Sequence, residues 1–340
     1  MNGMESKAKE LLNEALHSGH GACPGCAMPI ILRTLLHALG EKTIAAITAG
    51  CFGTISGSFP ASPIKIPAYN TPFPSAGAAG SGIRAALDVK GDTETTVVAI
   101  AGDGGTFDIG IQAISGAAER NDDYIFICYD NEAYMNTGIQ RSSATPWGAW
   151  TTTTPPSELK VQPKKDIVQI MAAHHIPYVA TASIAYPDDF VRKIKKAQKI
   201  KGFKFIYAFS PCPVGWRFPS EITIRLARLA VQSKIFPLYE VENGERYTLN
   251  VQPEGVPVSE YLKPQGRFNF LREGDMERIQ ENVDREWERL MRRFKPVLSC
   301  RVRLKDSTTS FELETRNLQL ETISKEGVMA QPVVVYFNPA

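Results

Sequence analysis

Long apolar segments are missing from this sequence of 340 residues. No run approaches the roughly 18 apolar residues that suggest a membrane span, and the first twelve residues are polar and charged, unlike a secretory signal. An excess of charge of one sign is also missing, because 38 Lys and Arg residues are balanced by 36 Asp and Glu residues. These absences argue against membranes and nucleic acids as partners, and we expect a cytoplasmic protein.

Cysteine is scarce, with six in the chain. In a long chain without a secretion signal, such cysteines are better interpreted as metal ligands, redox groups or core residues than as disulfides. Cys128 lies inside an apolar strand and is expected in the core. Four others either form a C-x₂-C pair or follow predicted strands: Cys23, Cys26, Cys51 and Cys212.

What the sequence does contain is a core-forming pattern, with 43% hydrophobic residues. Apolar runs typical of buried strands alternate with helical patterns, at residues 43–48, 96–101, 124–129, 178–181 and 203–209. This alternation predicts an α/β protein with a doubly wound, mostly parallel sheet. We expect an α/β domain over residues 1–220, followed by C-terminal helices and a partner-contacting arm over residues 221–340.

Two polar side chains, Asp103 and Asn131, follow consecutive strands of one predicted βαβ unit. Ligands of open α/β sheets bind at the carboxyl ends of the strands, and oxygen ligands suit a Mg²⁺ ion that also binds a diphosphate. The glycines around Asp103 leave backbone N–H groups free to approach such a diphosphate: Gly102, Gly104 and Gly105. The alternative interpretation is that G-D-G-G is only a tight turn.

The four grouped cysteines allow three interpretations. Four thiolates suit a [4Fe–4S] cluster or a structural zinc ion. Zinc ribbons usually contain two C-x₂-C pairs, and this chain has one. The third interpretation is a thioredoxin-type redox pair at Cys23 and Cys26, but no strand directly precedes that pair, and Cys51 and Cys212 are then left without a role.

Several stretches resemble a known family. The sequence GDG at 102–104, followed 28 residues after its Asp by Asn131, resembles the thiamine-diphosphate motif. The sequences DNEAYMNTGIQ at 130–140, SSATP at 142–146 and YLKPQGRF at 261–268 resemble the 2-oxoacid:ferredoxin oxidoreductases in particular. The spacing of the four cysteines is also similar to this family, and the likeness spans roughly residues 16–300.

The resemblance implies a beta subunit that binds thiamine diphosphate, with Mg²⁺ held by Asp103, Asn131 and the backbone carbonyl of Ala133. It places Asn136 beside the reacting carbon, as a catalytic residue, and includes Thr137 in the cofactor-binding stretch. It also implies that the four cysteines hold a [4Fe–4S] cluster. The fold it implies is the diphosphate-type domain of thiamine enzymes.

The implied activity is the oxidative decarboxylation of a 2-oxoacid, pyruvate or a related acid, to an acyl-CoA. Electrons would pass one at a time through the cluster to ferredoxin, with coenzyme A as the acyl acceptor. The alternatives are a non-redox thiamine-diphosphate decarboxylase or synthase subunit, and a zinc-stabilised, non-catalytic scaffold subunit.

The chain also lacks a feature that thiamine enzymes need. A second α/β domain supplies a glutamate against the pyrimidine ring of the cofactor in these enzymes, and neither a candidate glutamate nor a second βαβ repeat is evident here. We therefore expect an alpha subunit that carries the pyrimidine domain, with gamma- and delta-type subunits. The small-residue helix at 75–88 and the apolar surface around residues 52–74 are the expected partner contacts.

Overall fold

A computed structural model describes residues 16–17, 19–57 and 60–294 of the chain. The arm expected beyond residue 300 lies outside the described residues. The helices are α1 (Met28–Leu39), α2 (Cys51–Ser56), α3 (Ala76–Val89), α4 (Ile111–Glu119), α5 (Ile167–Ala172), α6 (Pro187–Lys199), α7 (Pro213–Trp216), α8 (Thr223–Gln232), α9 (Val258–Leu262) and α10 (Asp275–Met291). A π-helical turn covers Gly104–Asp108, and 3₁₀ turns cover Ser220–Ile222, Gly266–Phe268 and Arg292–Phe294.

One sheet organises the molecule. Its strands are β1 (Thr43–Thr48), β2 (Ala68–Thr71), β3 (Thr96–Gly102), β4 (Ile125–Asp130), β5 (Tyr178–Ser183), β6 (Lys204–Phe209), β7 (Tyr239–Glu242) and β8 (Arg246–Leu249). Their spatial order is β2-β1-β3-β4-β6-β5-β7-β8. The first six strands in that order are parallel, whereas β7 and β8 run antiparallel to their neighbours. The predicted doubly wound, mostly parallel sheet is therefore confirmed.

Helices cover both faces of this sheet, because successive residues of each strand point to opposite sides. In β3, Val97 and Ala99 pack into a core with α3, α4, α5 and α8, whereas Val98 and Ile100 pack into a second core with α1 and α6. Burial on both faces explains why the central strands are continuous apolar runs rather than alternating ones.

The stretch after α8, where only helices and an arm were expected, contains the hairpin of β7 and β8. Both strands have four residues, too few to display a clear period. Glu240 and Glu242 further obscure the strand pattern, although their side chains are largely buried and both bind Lys196. The polar composition of this hairpin thus reflects ion pairing at the edge of the sheet.

The segment expected to offer an apolar partner surface, residues 52–74, is partly buried and partly exposed. Phe52, Ile55 and Ile66 are buried against the face formed by α1 and α6. The segment also contains the edge strand β2, in which Tyr69 is 58% exposed, and Pro67 and Ala68 beside it are exposed as well. The larger aliphatic side chains thus belong to the core, and a partner contact at the exposed part stays a prediction.

The small residues of α3 let the helix pack closely inside the molecule. A Cβ atom at Gly77 would lie 2.8 Å from the backbone of Ala113, and one at Gly80 would lie 2.6 Å from the ring of Tyr124. Gly82 has open space instead. The close packing at the first two glycines is thus against the neighbouring helix α4 and Tyr124, and a partner contact at this helix stays a prediction.

The candidate site lies at the carboxyl ends of four neighbouring strands. Cys51 follows β1, Asp103 follows β3, Asn131 follows β4 and Cys212 follows β6, and these strands are adjacent in the order β1-β3-β4-β6. The sheet therefore sets four of the predicted site residues side by side. Separately, within the described parts of the chain no helix has the length and apolar character needed to cross a membrane.

Candidate functional site

Three polar groups meet where β3 and β4 end. One terminal atom of the Asn131 side-chain amide lies 2.9 Å from the carbonyl oxygen of Ala133 and 3.0 Å from Oδ1 of Asp103. As the nitrogen, this atom donates a hydrogen bond to each of the two oxygens, and a rotated amide would present its oxygen at the same position. All three residues belong to the predicted metal set, and the fold brings them together.

The spacing of these oxygens suits a small octahedral cation. Neighbouring ligands of Mg²⁺, each bound at 2.0–2.1 Å and at right angles, lie about 2.9 Å apart. One carboxylate, one amide and one carbonyl also form the oxygen-only donor set that Mg²⁺ prefers, with the remaining positions left for phosphate and water. Asp103, Asn131 and Ala133 therefore fit the magnesium ion of a thiamine-diphosphate site.

Asp103 is buried, and its carboxylate is held from one side. The hydroxyl of Ser142 donates a hydrogen bond of 2.5 Å to Oδ2 of Asp103, opposite the oxygen that faces Asn131. Burial, together with the nearby charge of Asp130, raises the pKa of Asp103 well above its usual range. A buried carboxylate in this setting is stabilised by a bound cation, which is the arrangement that a metal ligand requires.

The segment that carries the other two oxygens, residues 130–133, is held by a buried ion network. We call it the metal loop. Lys164 binds Asp130 at 2.5 Å and Glu132 at 2.6 Å, and Arg267 binds Glu132 at 2.7 Å. Burial opposes ionisation of Glu132, but these two cations outweigh it and lower the pKa of its carboxyl. For Asp130 burial prevails, and its pKa is raised.

The backbone of the metal loop is also hydrogen-bonded. The indole N–H of Trp216 donates to the carbonyl oxygen of Asn131 at 2.8 Å, and the hydroxyl of Thr145 donates to that of Glu132 at 2.7 Å. The guanidinium of Arg267 lies 3.8 Å from the centre of the Trp216 ring. These contacts leave the Asn131 side chain and the Ala133 carbonyl directed towards Asp103.

The glycines around Asp103 admit close packing. A Cβ atom at Gly104 would lie 2.4 Å from the ring of Tyr134, and one at Gly102 would lie 3.1 Å from the ring of Tyr129. Gly105 is buried within the π-helical turn that follows Asp103. The turn begins directly after β3, so the backbone N–H groups at this strand end are close to the candidate metal position, as a diphosphate site needs.

Asn136 lies beyond the metal loop and faces helix α2. The hydroxyl of Thr54 lies 3.2 Å from Oδ1 of Asn136 and 3.1 Å from the carbonyl oxygen of Gly50, so its one proton is shared between these two acceptors. Thr137, the next residue, is exposed and donates to Oε1 of Gln140 at 2.8 Å, which closes the loop on itself. The predicted catalytic residue is thus linked to the helix that begins at Cys51.

The four predicted cluster cysteines interact with one another. Burial raises the pKa of Cys51 to about 12, with smaller contributions from the other three thiols, and that of Cys26 to about 11, with smaller contributions from Cys212 and Cys23. Cys23 is exposed, and the other three thiols are half-buried. Cys128, by contrast, is fully buried within β4, as expected.

The thiols are close enough to influence each other electrostatically, which fits a single metal cluster bound by all four cysteines. Among the residues described, no three His, Cys, Asp or Glu side chains are arranged as the ligands of a single metal ion. In a [4Fe–4S] cluster each cysteine binds a different iron, so its thiolates are spaced more widely than the ligands of one ion.

The cysteine group and the metal loop are neighbours. Asp103 contributes to the raised pKa of Cys51. A Cβ atom at Gly215 would lie 2.2 Å from the sulfur of Met135 and 3.6 Å from the sulfur of Cys212. Met135 precedes Asn136 in the chain, so the loop after β4 packs directly against the cysteine loop after β6.

A fold of this topology with this strand-end site is that of a thiamine-dependent enzyme. Residues 48–208 match the thiamine pyrophosphate enzyme family, at its C-terminal TPP-binding domain. A solved 2-oxoglutarate:ferredoxin oxidoreductase from Magnetococcus marinus has a similar fold, with a TM-score of 0.51 and 24% identity over 63% of this chain and 79% of that one.

Proteins of similar sequence identify which group of thiamine-dependent enzymes this chain resembles. The chain is 52% identical over 288 residues to the ketoisovalerate oxidoreductase subunit VorB of Pyrococcus furiosus, covering 82% of this chain and 92% of that one. It is 50% identical over 277 residues to the pyruvate synthase subunit PorB of Methanocaldococcus jannaschii, covering 78% and 93% respectively. This chain belongs to the family of beta subunits of 2-oxoacid:ferredoxin oxidoreductases, and is an oxidoreductase subunit.

Sequence reasoning assigned no role to several residues that hold the site together. Thr145 and Arg267 lie in two of the stretches that suggested the family, and both contact Glu132. Those stretches are thus explained by contacts to the metal loop. Lys164 and Thr54 gave no signal, because a lysine in a loop and a threonine in a short helix are ordinary until the fold brings them to the site.

Proposed function

We propose that this chain binds Mg²⁺ and the diphosphate of thiamine diphosphate at the ends of β3 and β4, and a [4Fe–4S] cluster through its four grouped cysteines. With partner subunits it would convert a 2-oxoacid and coenzyme A into an acyl-CoA and CO₂, with ferredoxin as electron acceptor. The observation that carries the proposal is that the Asn131 side-chain amide lies 2.9 Å from the Ala133 carbonyl oxygen and 3.0 Å from Oδ1 of Asp103.

The chain's own residues have distinct parts in this scheme. Asp103 supplies the negative charge that binds Mg²⁺, and Asn131 and the Ala133 carbonyl complete the protein's share of its ligands. Ser142 fixes the carboxylate of Asp103 so that one oxygen faces the ion. Thiamine diphosphate, when bound, stabilises the negative charge left on carbon as the carboxylate departs.

Asn136 is proposed as the side chain beside the reacting carbon, where its amide can donate or accept a hydrogen bond. Thr54 orients that amide. The same helix α2 begins at Cys51, so the residue that contacts Asn136 and a proposed cluster ligand lie on one short helix. This proximity supports the direct passage of electrons from the cofactor site to the cluster.

A partner subunit is needed to supply a further carboxylate, because the described acids at this sheet edge already bind other groups. Asp103 faces Asn131 and Ser142, whereas Asp130 and Glu132 bind Lys164. None of them is free to act on the pyrimidine ring. We therefore propose that an alpha subunit supplies that carboxylate, and that gamma- and delta-type subunits complete the complex.

The substrate class follows from the relatives. VorB is named for ketoisovalerate, a branched 2-oxoacid, and PorB for pyruvate, and both are about half identical to this chain. We propose a short aliphatic 2-oxoacid. An anaerobic assay of the complete complex against pyruvate, branched-chain, aromatic and dicarboxylic 2-oxoacids would identify it, and a preference for aromatic or dicarboxylic acids would contradict this choice.

The test of the metal site uses the co-expressed complex, depleted of cofactor. Asp103→Asn should weaken Mg²⁺-dependent binding of thiamine diphosphate by more than about a hundredfold, since it removes the charge from a direct ligand. Asp188→Asn, at an exposed position in α6, is the control and should leave binding unchanged. Unchanged cofactor affinity in Asp103→Asn, measured by calorimetry, would refute the metal role.

A further inference from the structure

Lys164 stands out among the residues with no assigned role, because its ammonium group contacts the two residues that flank Asn131. We propose that Lys164 is a positioning residue that sets the orientation of the metal loop and thereby the affinity for Mg²⁺ and thiamine diphosphate. This inference rests on the proposed function, because it assigns a role towards the same cofactor.

The geometry of the contact directs Asn131. Nζ of Lys164 lies 2.5 Å from Oδ2 of Asp130 and 2.6 Å from Oε1 of Glu132. Asp130 ends β4 and Glu132 lies in the turn that follows, so one cation bound to both carboxylates fixes both ends of the short segment that carries Asn131. By holding both carboxylates, Lys164 keeps the Asn131 side chain in contact with Asp103.

The contact also holds a turn that the backbone disfavours. Glu132 has a φ of 63°, in the left-handed region that residues other than glycine rarely adopt. After this turn the Ala133 carbonyl comes within 2.9 Å of the Asn131 side chain. Such a conformation persists only where the surroundings fix it, and Lys164 and Arg267 fix the Glu132 side chain.

The buried charge of Asp130 also depends on Lys164. Asp130 is fully buried, and within the described part of the chain Lys164 is the one cation bound to it. Removing the cation of a buried ion pair is strongly destabilising, because it leaves the carboxylate without compensation. Asp130 adjoins Asn131, so the loss of Lys164 acts on the segment that carries a metal ligand.

The chain contains a matched control for this role. Lys196 also bridges two carboxylates two residues apart, Glu240 at 2.6 Å and Glu242 at 2.5 Å. Its side chain is 35% exposed, against 25% for Lys164. The Lys196 bridge lies on β7, whose residue Glu242 pairs with Tyr178 at the start of β5, so it is at the sheet edge opposite the candidate site.

The experiment compares Lys164→Met, Lys164→Arg and Lys196→Met in the cofactor-depleted, co-expressed complex. Calorimetry would give the dissociation constant of thiamine diphosphate at fixed Mg²⁺, and thermal unfolding without cofactor would give the effect on stability. Lys164→Met should weaken binding about 10–100-fold, the range for residues that orient metal ligands. Lys164→Arg should restore most of the affinity, and Lys196→Met should lower the melting temperature without changing the affinity.

Kinetics provide a second readout. The KM for thiamine diphosphate should rise in Lys164→Met while kcat at saturating cofactor stays close to that of the wild type, because the residue acts on binding. If Lys164→Met loses stability like Lys196→Met but keeps its cofactor affinity, Lys164 has only a structural role and the inference is overturned. If Lys164→Met does not assemble, Lys164→Gln decides in the same way.

The two proposals fail separately. Full cofactor affinity in Asp103→Asn would refute the metal site itself, whatever Lys164 does. Weak binding in Asp103→Asn together with normal binding in Lys164→Met or Lys164→Gln would refute only the positioning role.

Discussion

The hydroxyl of Thr54 lies 3.2 Å from Oδ1 of Asn136, and this hydrogen bond joins the helix that begins at Cys51 to the loop that follows β4. The two residues are 82 positions apart in the sequence. The contact therefore exists only because β1 and β4 end at the same edge of the sheet, and it connects the proposed cluster site with the proposed catalytic amide.

Thr54→Val should lower turnover with little effect on cofactor content. Loss of the hydroxyl leaves the Asn136 amide without this partner, and we expect kcat to fall about tenfold while iron content and thiamine-diphosphate affinity stay unchanged. Steady-state assay of the complex with a 2-oxoacid and viologen would measure this. Ser56→Ala removes another hydroxyl of α2, one that bonds only to the backbone of Gly53, and should leave kcat unaffected.

The anaerobically purified complex should contain about four irons and four labile sulfides per copy of this chain, in addition to those of its partners. Cys51→Ala or Cys212→Ala should lose or degrade this cluster, whereas Cys128→Ala should retain it because that thiol is packed inside β4. Iron and sulfide analysis with electron paramagnetic resonance would follow it. An intact cluster in Cys212→Ala, or zinc without iron, would contradict the assignment.

The stability of the sheet should depend on pH through Asp123. This residue precedes β4 and binds Lys204 at 2.5 Å and Lys201 at 3.0 Å. Burial opposes its ionisation, but the two lysines outweigh burial and lower the pKa of its carboxyl. A lowered pKa in the folded state gives stability that is present above the unfolded value of about 3.9 and is lost as the pH falls through the folded value.

Asp123→Asn should therefore lower the melting temperature at pH 7, and the difference from the wild type should shrink below about pH 4. Thermal unfolding followed by circular dichroism at several pH values would show the trend. A difference that is constant from pH 7 to acid pH would mean that the carboxylate contributes through its shape or hydrogen bonds and not through its charge.

The chain alone should not turn over substrate. Its described acids at the sheet edge already bind Asn131, Ser142 and Lys164. We therefore expect another subunit to supply the carboxylate that activates the cofactor. The measurement is 2-oxoacid-dependent reduction of viologen by the single chain, with its cluster reconstituted and with thiamine diphosphate and coenzyme A supplied. Addition of the alpha subunit should restore activity, and robust turnover without it would disprove the heteromeric proposal.

The sheet and the strand-end residues could be predicted from the sequence because both depend on local patterns. Buried parallel strands are continuous apolar runs, and the residues that follow them reach one edge, so the positions of Asp103 and Asn131 along the chain are enough to pair them. The hairpin of β7 and β8 was missed because Glu240 and Glu242 make it resemble a loop. Their burial depends on Lys196, which is 44 residues from Glu240 in the chain.

The supporting residues could not be predicted for a similar reason. Lys164 lies 34 residues from Asp130, and Arg267 is further still, so no local period relates them to the metal loop. Phe52 lies in the segment that was expected to offer an apolar partner surface, yet the centre of its ring lies 5.4 Å from that of Tyr129 inside the core. Tertiary contacts of this kind are visible only once the strands are assembled.

Because the four strands are neighbours in the sheet, the distances between their carboxyl ends are fixed. Neighbouring strands are about 4.8 Å apart, so the three intervals from β1 to β6 span about 14 Å. Backbone hydrogen bonds fix that span, independent of the loops that carry Cys51, Asp103, Asn131 and Cys212. Loop sequences can therefore vary while the spacing of the two outer cysteines, with Asp103 and Asn131 between them, stays constant.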